Sequence, residues 1–489
     1  MAARRGGFNG LAFAVRAGIL SHMKIPILAI AFVFAAVPAL AAAADAPKLA
    51  GDLLGLVWAL PFVAILLGIA LGPLLAAHLW HAHYGKFAVA CAAAFLAPCA
   101  AIFGADVALY EFLHTMLLEY VPFIVMLFAL YVVACGVRLR GDLVGTPALN
   151  TGMLAFGTAI ASVMGTTGAC MLLIQPMLRA NSWRKKNVHV FVFFIFLVGN
   201  IGGSLTPLGD PPLFIGFLEG VDFFWTTKAM LGPMLLVAVP LLAAFYALDS
   251  YFYRREAAPP EAAGEAFAVE GKINLLLLAG VVAAVLMSGV WRPERPVEIY
   301  YTPVELESIV RSALLLVLAW ASLVWTDKDS RRANGFSWEP IAEVAKLFVG
   351  IFVTIVPVLA IIRAGRDGAL GGLIALLNSD GRPDNPMYFW ITGVLSGFLD
   401  NAPTYLLFFN LAGGDPETLM GPLATTLLAV SCGAVFMGAL TYIGNAPNFM
   451  VKAVAEKGGI KMPSFFGFLL WSCAFLLPLF ALVTLVYFR

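Results

Sequence analysis

Two stretches of this chain repeat one pattern. GGSLTPLGDPPLF at 202–214 and MGALTYIGNAPNF at 437–449 align at an offset of 235 and share G-x-L-T-x-x-G-[DN]-x-P-x-F. Both lie inside long apolar segments, where Gly, Pro, Asp and Asn are costly. Helices broken at mid-membrane, once in each half, mark the binding site of a secondary transporter. The breaks are Gly202, Gly203, Gly209, Pro211 and Pro212 in the first copy, and Gly438, Gly444 and Pro447 in the second.

Two acids stand at membrane depth: Asp210 in LGDPP and Asp400 in FLDNAPT, the latter followed by Asn401, Pro403 and Thr404. A carboxylate at the bilayer centre costs about 2.5–3.5 kcal/mol on insertion scales, so such acids generally have a function. A helix-capping role would need no charge, and the second copy carries Asn445 where the first has Asp210. Around the acids, Thr166, Thr167, Asn200, Ser204, Thr206, Asn401, Thr404, Thr441, Asn445 and Asn448 offer side-chain oxygens, and the glycine breaks free backbone carbonyls. Oxygen ligands suit a hard cation such as sodium. A buried carboxylate also takes up a proton near neutral pH. One acid that binds either ion makes the two compete, which at an alternating-access site is antiport. Asp400 is the expected main proton carrier and Asp210 the lesser one, because the repeat tolerates Asn at the position of Asp210. For Thr206 and Thr441, helix packing is the competing role, and a ligand role is preferred.

The elements that position these residues are helices in a membrane. The chain is 61% hydrophobic and 12% charged, with a mean hydropathy of +0.91. Many apolar runs exceed ~18 residues. A net charge of +1, with no dense basic tract, gives no sign of a nucleic-acid partner. Cys91, Cys99, Cys135, Cys170, Cys432 and Cys473 show no metal spacing and read as buried core residues; no metal site or cofactor is expected beyond the transported ions. Residues 1–44 read as an extension and a signal-peptide-like segment, with an apolar run after Met23-Lys24 and A-x-A sites near Ala41.

The remainder divides into two repeats. Residues 45–248 hold a re-entrant hairpin at about 143–178 and a broken helix at about 188–218. A cytoplasmic linker spans 249–271. Residues 272–489 hold a hairpin at about 387–411 and a broken helix at about 423–452. Lys and Arg fall roughly two to one on the side assigned to the cytoplasm. Arg138, Arg140, Arg179, Arg184, Lys185 and Lys186 place both ends of the first hairpin inside. Acidic flanks at Asp415 and Glu417 place the second outside. The repeats are therefore expected to be inverted, as in alternating-access carriers. Glu111, His114 and Glu119 read as a surface-lying helix before a span, Lys346 as part of a matching arm at 338–348, and Arg311 as an interfacial residue.

NIGGSLTPLGDPP and LDNAPT resemble the NhaD-type sodium/proton antiporters of the ion transporter superfamily, which also includes citrate and dicarboxylate carriers and arsenite exporters. The likeness covers about residues 50–489 in layout and is specific only at the hairpins and breaks. D-N-x-P matches at Asp400, Asn401 and Pro403, and G-D-P-P at 209–212. The S-N-T motifs of the dicarboxylate carriers are replaced by Thr166-Thr167-Gly168 and Asp400-Asn401-Ala402. The chain also departs from the antiporters: its first hairpin lacks an acid, and its second break has Asn445. The resemblance implies an all-α polytopic protein with a scaffold and an elevator-like core, a homodimer in the inner membrane, and a small cation as substrate. Sodium/proton antiport is the leading expectation, and a sodium- or proton-coupled citrate carrier is the alternative. An intramembrane aspartyl protease is disfavoured, since Asp210 is preceded by Pro-Leu-Gly rather than G-x-G.

Overall fold

A computed structural model describes residues 46–489, apart from 142, 257–258, 260–267, 294, 366–367 and 380–381. The signal-peptide-like segment and the middle of the linker lie outside the described residues. Ten helices among them are long and apolar enough to cross a membrane, and Ala424–Leu440 is a shorter apolar helix.

We number the helices in chain order. They are α1 (Leu60–Leu75), α2 (Ala77–Phe103), α3 (Ala105–Thr115), α4 (Val121–Ala134), α5 (Pro147–Met164), α6 (Thr166–Asn181), α7 (Val188–Leu197), α8 (Pro211–Leu218), α9 (Phe223–Tyr253), α10 (Ile273–Val290), α11 (Leu306–Trp325), α12 (Lys328–Ala333), α13 (Glu339–Arg363), α14 (Gly371–Leu377), α15 (Asn385–Phe398), α16 (Asn401–Leu411), α17 (Pro416–Met420), α18 (Ala424–Met437), α19 (Ala446–Lys457) and α20 (Phe465–Tyr487). Three two-stranded ribbons complete the described fold.

Two sets of helices separate by packing. In one, α1 lies on α2, α13 packs on both, and α4, α10 and α11 pack on one another. In the other, each hairpin folds back on itself, α5 on α6 and α15 on α16, and lies against a broken helix. Helix α15 packs on α18, α16 on α8, and α19 on α6 and α7. Every residue of α7 except Val188 is buried, including the run Phe191–Leu197, so its lack of a polar face fits a helix enclosed on all sides.

The breaks have a local cause. Helix α7 ends at Leu197, a 3-10 turn covers Ile201–Leu205, and α8 restarts at Pro211. In the second half α18 ends at Met437, a turn covers Gly438–Leu440, and α19 restarts at Ala446. Proline in the first turn costs no hydrogen bond and presets the helical φ. A Cβ at Gly209 would strike the backbone of Gly203, and one at Gly444 would strike that of Gly438. The same pair of glycines thus closes the loop in both copies, 235 residues apart.

Four expectations are corrected. The segment with Glu111, His114 and Glu119 is not a separate surface helix. It runs through a π-helical turn, Met116–Tyr120, into α4, giving a continuous apolar helix over Ala105–Ala134. The arm with Lys346 is likewise the first part of α13. Arg311 is 5% exposed; its guanidinium donates to Ser288 Oγ and Ser308 Oγ and faces the rings of Phe214 and Phe217. Five cysteines are buried, but Cys473 is exposed on α20. That helix turns one face outward, so a small apolar residue there need not be core.

Candidate functional site

Four helices begin at one point. Helix α6 starts at Thr166, α8 at Pro211, α16 at Asn401 and α19 at Ala446. The residues before them are Gly165, Asp210, Asp400 and Asn445, two pairs at the offset of 235. Gly165 takes φ +78°, a left-handed value that disfavours a side chain, whereas Asp400 is extended at 174°. Only Asp400 caps its own helix, accepting from Ala402 N at 3.0 Å. Helix N-termini carry partial positive charge. Their convergence makes a site that favours negative charge without a cationic side chain.

Asp210 occupies that site. It is 1% exposed. Its Oδ1 accepts from Thr166 Oγ1 at 3.1 Å and Asn445 Nδ2 at 2.9 Å, and its Oδ2 accepts from Asn401 Nδ2 at 2.6 Å. Thr166 and Asn401 are counterparts at the offset of 235, as are Asp210 and Asn445. Both halves therefore place equivalent residues around a single carboxylate. Asn445 Nδ2 also lies within hydrogen-bond distance of Gly199 O and Asn200 Oδ1, both at 3.2 Å, and Asn200 Nδ2 donates to Asn448 Oδ1 at 2.7 Å. Asn448 Nδ2 in turn donates to Gly438 O and Thr441 O. Asn200 and Asn448 thus hold the two breaks together behind Asp210.

Other expected site residues are engaged elsewhere. Thr206 Oγ1 donates to Ser162 O and accepts from Leu208 N. Thr441 Oγ1 donates to Gly397 O at 2.5 Å and accepts from Ile443 N at 3.1 Å. These locks are the same bond in the two halves, each spanning 44 residues, so both hydroxyls expected as ligands are spent on shaping the loops. Ser204 Oγ donates to Ile201 O within its own turn, and Thr404 Oγ1 to Asp400 O. The carbonyls expected to be freed are mostly taken: Gly202 O accepts from Ser162 Oγ, Gly209 O from Thr166 N, and Gly438 O from Asn448 Nδ2. Buried carbonyls need partners, and the neighbouring hairpins supply them. Pro211, Pro212, Pro403 and Pro447 all sit in first helical turns.

A cavity of about 830 Å³ reaches this site. Its inner lining includes Thr166, Thr167, Asp210, Asp400, Asn401 and Asn445, and its mouth has charged residues of α13 and α19. Among the described residues no cluster of three or more His, Cys, Asp or Glu could hold a metal.

The sequence reading missed Ser162, Ser396 and Gly397. Ser396 Oγ donates to Ala434 O as Ser162 Oγ donates to Gly202 O, and Ser162 and Gly397 are counterparts at the offset of 235. Extending that offset upstream from the breaks would have found the latter pair. It also missed a buried ion network at the base of the first hairpin. Asp249, 0% exposed, pairs with Arg184 at 2.5 Å and His189 at 2.8 Å, and accepts from Asn150 Nδ2 at 2.9 Å.

Comparison with known proteins now places the chain. A family model described as "Putative citrate transport" matches residues 51–488. The chain belongs to that family. Uncharacterized transporters of Mycobacterium bovis and Mycobacterium tuberculosis are each 25% identical to it over 334 residues, covering 64% of this chain and 71% of theirs. It is thus a multi-pass membrane transporter and not an enzyme, and its family corresponds to the carboxylate alternative rather than to sodium/proton antiport.

Proposed function

We propose that this transporter is a cation-coupled carrier of a citrate-class carboxylate, working by alternating access. The observation that carries this reading is the single carboxylate of Asp210, held by residues of both halves where four helices begin, at the end of a cavity large enough for a small organic acid. Family membership supports the substrate class. Helix N-termini and amide donors suit a carboxylate ligand.

Charge then dictates coupling. Asp210 and Asp400 line the cavity, and among the described residues no cationic side chain is bonded to either. Two like charges 5 Å apart at an effective dielectric constant near 20 repel by about 3 kcal/mol. A citrate trianion beside two carboxylates therefore needs neutralisation by protons or sodium ions. Asp210 is the anchoring carboxylate of the pair. Asp400 makes one side-chain hydrogen bond, to its own helix, and is the freer to exchange an ion. This keeps Asp400 as the exchanging acid and gives Asp210 the part of holding the two halves together.

Within this reading the two repeats are inverted in the membrane, and the hairpin set moves against the set built on α1, α2, α4 and α10–α13. The cavity mouth carries Lys452 and Lys457, so by the positive-inside bias this conformation opens to the cytoplasm. Sodium/proton antiport is the second reading, favoured by two acids that line one cavity and could each take a proton or a cation. Proteoliposomes with an internal pH dye separate the two. The carboxylate reading predicts saturable uptake of labelled citrate driven by a proton or sodium gradient. Pulses of sodium, lithium or potassium that move protons without any citrate, together with no citrate uptake, would establish antiport instead.

A further inference from the structure

The cavity leading to Asp210 is lined by acids from one helix and lysines from another. Helix α13 contributes Glu339 and Glu343 to the lining, and α19 contributes Lys452, Glu456 and Lys457. These two helices belong to different helix sets: α13 packs on α1 and α2, and α19 on α6 and α7. Lys452 is occupied by Glu456 on its own helix, at 2.9 Å, and lies 5.5 Å from the ring centre of Tyr442. Lys346, next along α13, lies over the ring of Tyr84, and His81 of α2 joins the lining. Glu339, Glu343 and Lys457 have no ion pair among the described residues.

We propose that Glu339 and Glu343 on α13, with Lys457 and Lys452 on α19, are the two faces of an electrostatic latch that shuts this mouth when the hairpin set moves. The proposal rests on the alternating-access reading above. Opposite charges across a water-filled opening attract weakly, because solvent and salt screen them. As the mouth closes, water leaves and the same pairs strengthen. Such a latch acts weakly while the mouth is open and holds the shut state once water has left. The latch also gives a role to acids on the approach to a site that takes an anion: they would pair with the α19 lysines on closing.

The test uses the full-length transporter in proteoliposomes. Lys457→Glu and Glu343→Lys should each slow uptake of labelled citrate about tenfold, and the double reversal should recover to within about threefold of wild type, as expected for coupled charges. A double reversal no faster than the worse single variant would overturn the latch. Citrate binding to the detergent-solubilised protein, unchanged in all three variants, shows that the inner site is intact. In a background with every native cysteine replaced, Glu343→Cys and Lys457→Cys should cross-link faster when the transported ligand and its cation are present, and the cross-link should stop transport. An unchanged rate with citrate, sodium and protons each varied would also overturn it. If wild type binds no carboxylate, the substrate assignment fails, and the cross-link rate under sodium or proton gradients still decides the latch.

Discussion

The two broken helices share a backbone plan and differ in where they place charge. The first half has its acid in the break, at Asp210, and a glycine at the hairpin tip, Gly165. The second has its acid at the hairpin tip, Asp400, and an amide in the break, Asn445. The bonds that shape the loops are kept in both: Thr206 to Ser162 and Thr441 to Gly397 close equivalent turns. The hairpin bases differ too. Asn150 joins the buried Asp249–Arg184–His189 network, whereas its counterpart Asn385 accepts a single bond from Thr426 at 2.7 Å. Shape is thus duplicated while charge is not. A fully symmetric molecule would set two buried carboxylates side by side, and their repulsion would favour neutralising one of them.

The largest expected effect comes from erasing this difference. Asp210→Asn makes the first break like the second, and uptake should fall by about a thousandfold, as when a central charge partner is lost. The initial rate in proteoliposomes measures it, with size-exclusion chromatography as the folding control. A near-normal rate would mean that Asp210 merely starts α8, as Asn445 starts α19.

Next comes the pair of hairpin bases. Asp249→Asn leaves Arg184 buried without its counter-charge and should destabilise the protein by about 3 kcal/mol. Asn385→Ala should cost about 1 kcal/mol, the worth of an ordinary hydrogen bond. Unfolding in mild detergent compares them, and equal losses would deny the ionic network any special weight. Asp400→Asn follows, with about a tenfold loss in rate at low cation concentration and a smaller loss at saturation, because it weakens ion binding rather than the whole site. A loss as deep as that of Asp210→Asn would show that Asp400 holds the whole site and not only the ion. The smallest effects belong to the two locks. Thr206→Val and Thr441→Val should each cost about 1 kcal/mol of stability, and by similar amounts. A large difference between them would show that the repeat is not energetically symmetric.

Much of this was legible in the sequence. The breaks at 188–218 and 423–452 and both hairpins fall close to the elements found, because Gly and Pro inside apolar runs force a change of backbone there. The membership of the site was legible only in part. Composition points to Thr206, Thr441, Ser204 and Thr404 as oxygen donors, yet each spends its hydroxyl on a backbone carbonyl of its own turn or of the adjoining hairpin. Which hydroxyl is spent depends on packing between segments 44 residues apart. The ranking of the acids rested on the repeat alone, and the presence of Asn445 in one copy says nothing about the donors that converge on Asp210 from the other half. Asp249 went unnoticed because it lies at the end of a long helix, outside any repeated motif.

The central claim is that cations must accompany the carboxylate because the site itself is negative. Its most direct test is the affinity of purified protein for citrate, measured by titration calorimetry as sodium and pH are varied. The account predicts binding that tightens at least about tenfold as sodium rises or pH falls, through neutralisation of site carboxylates, and that loses most of this dependence in Asp210→Asn/Asp400→Asn. Citrate affinity that is the same with and without coupling cations at every pH would contradict it.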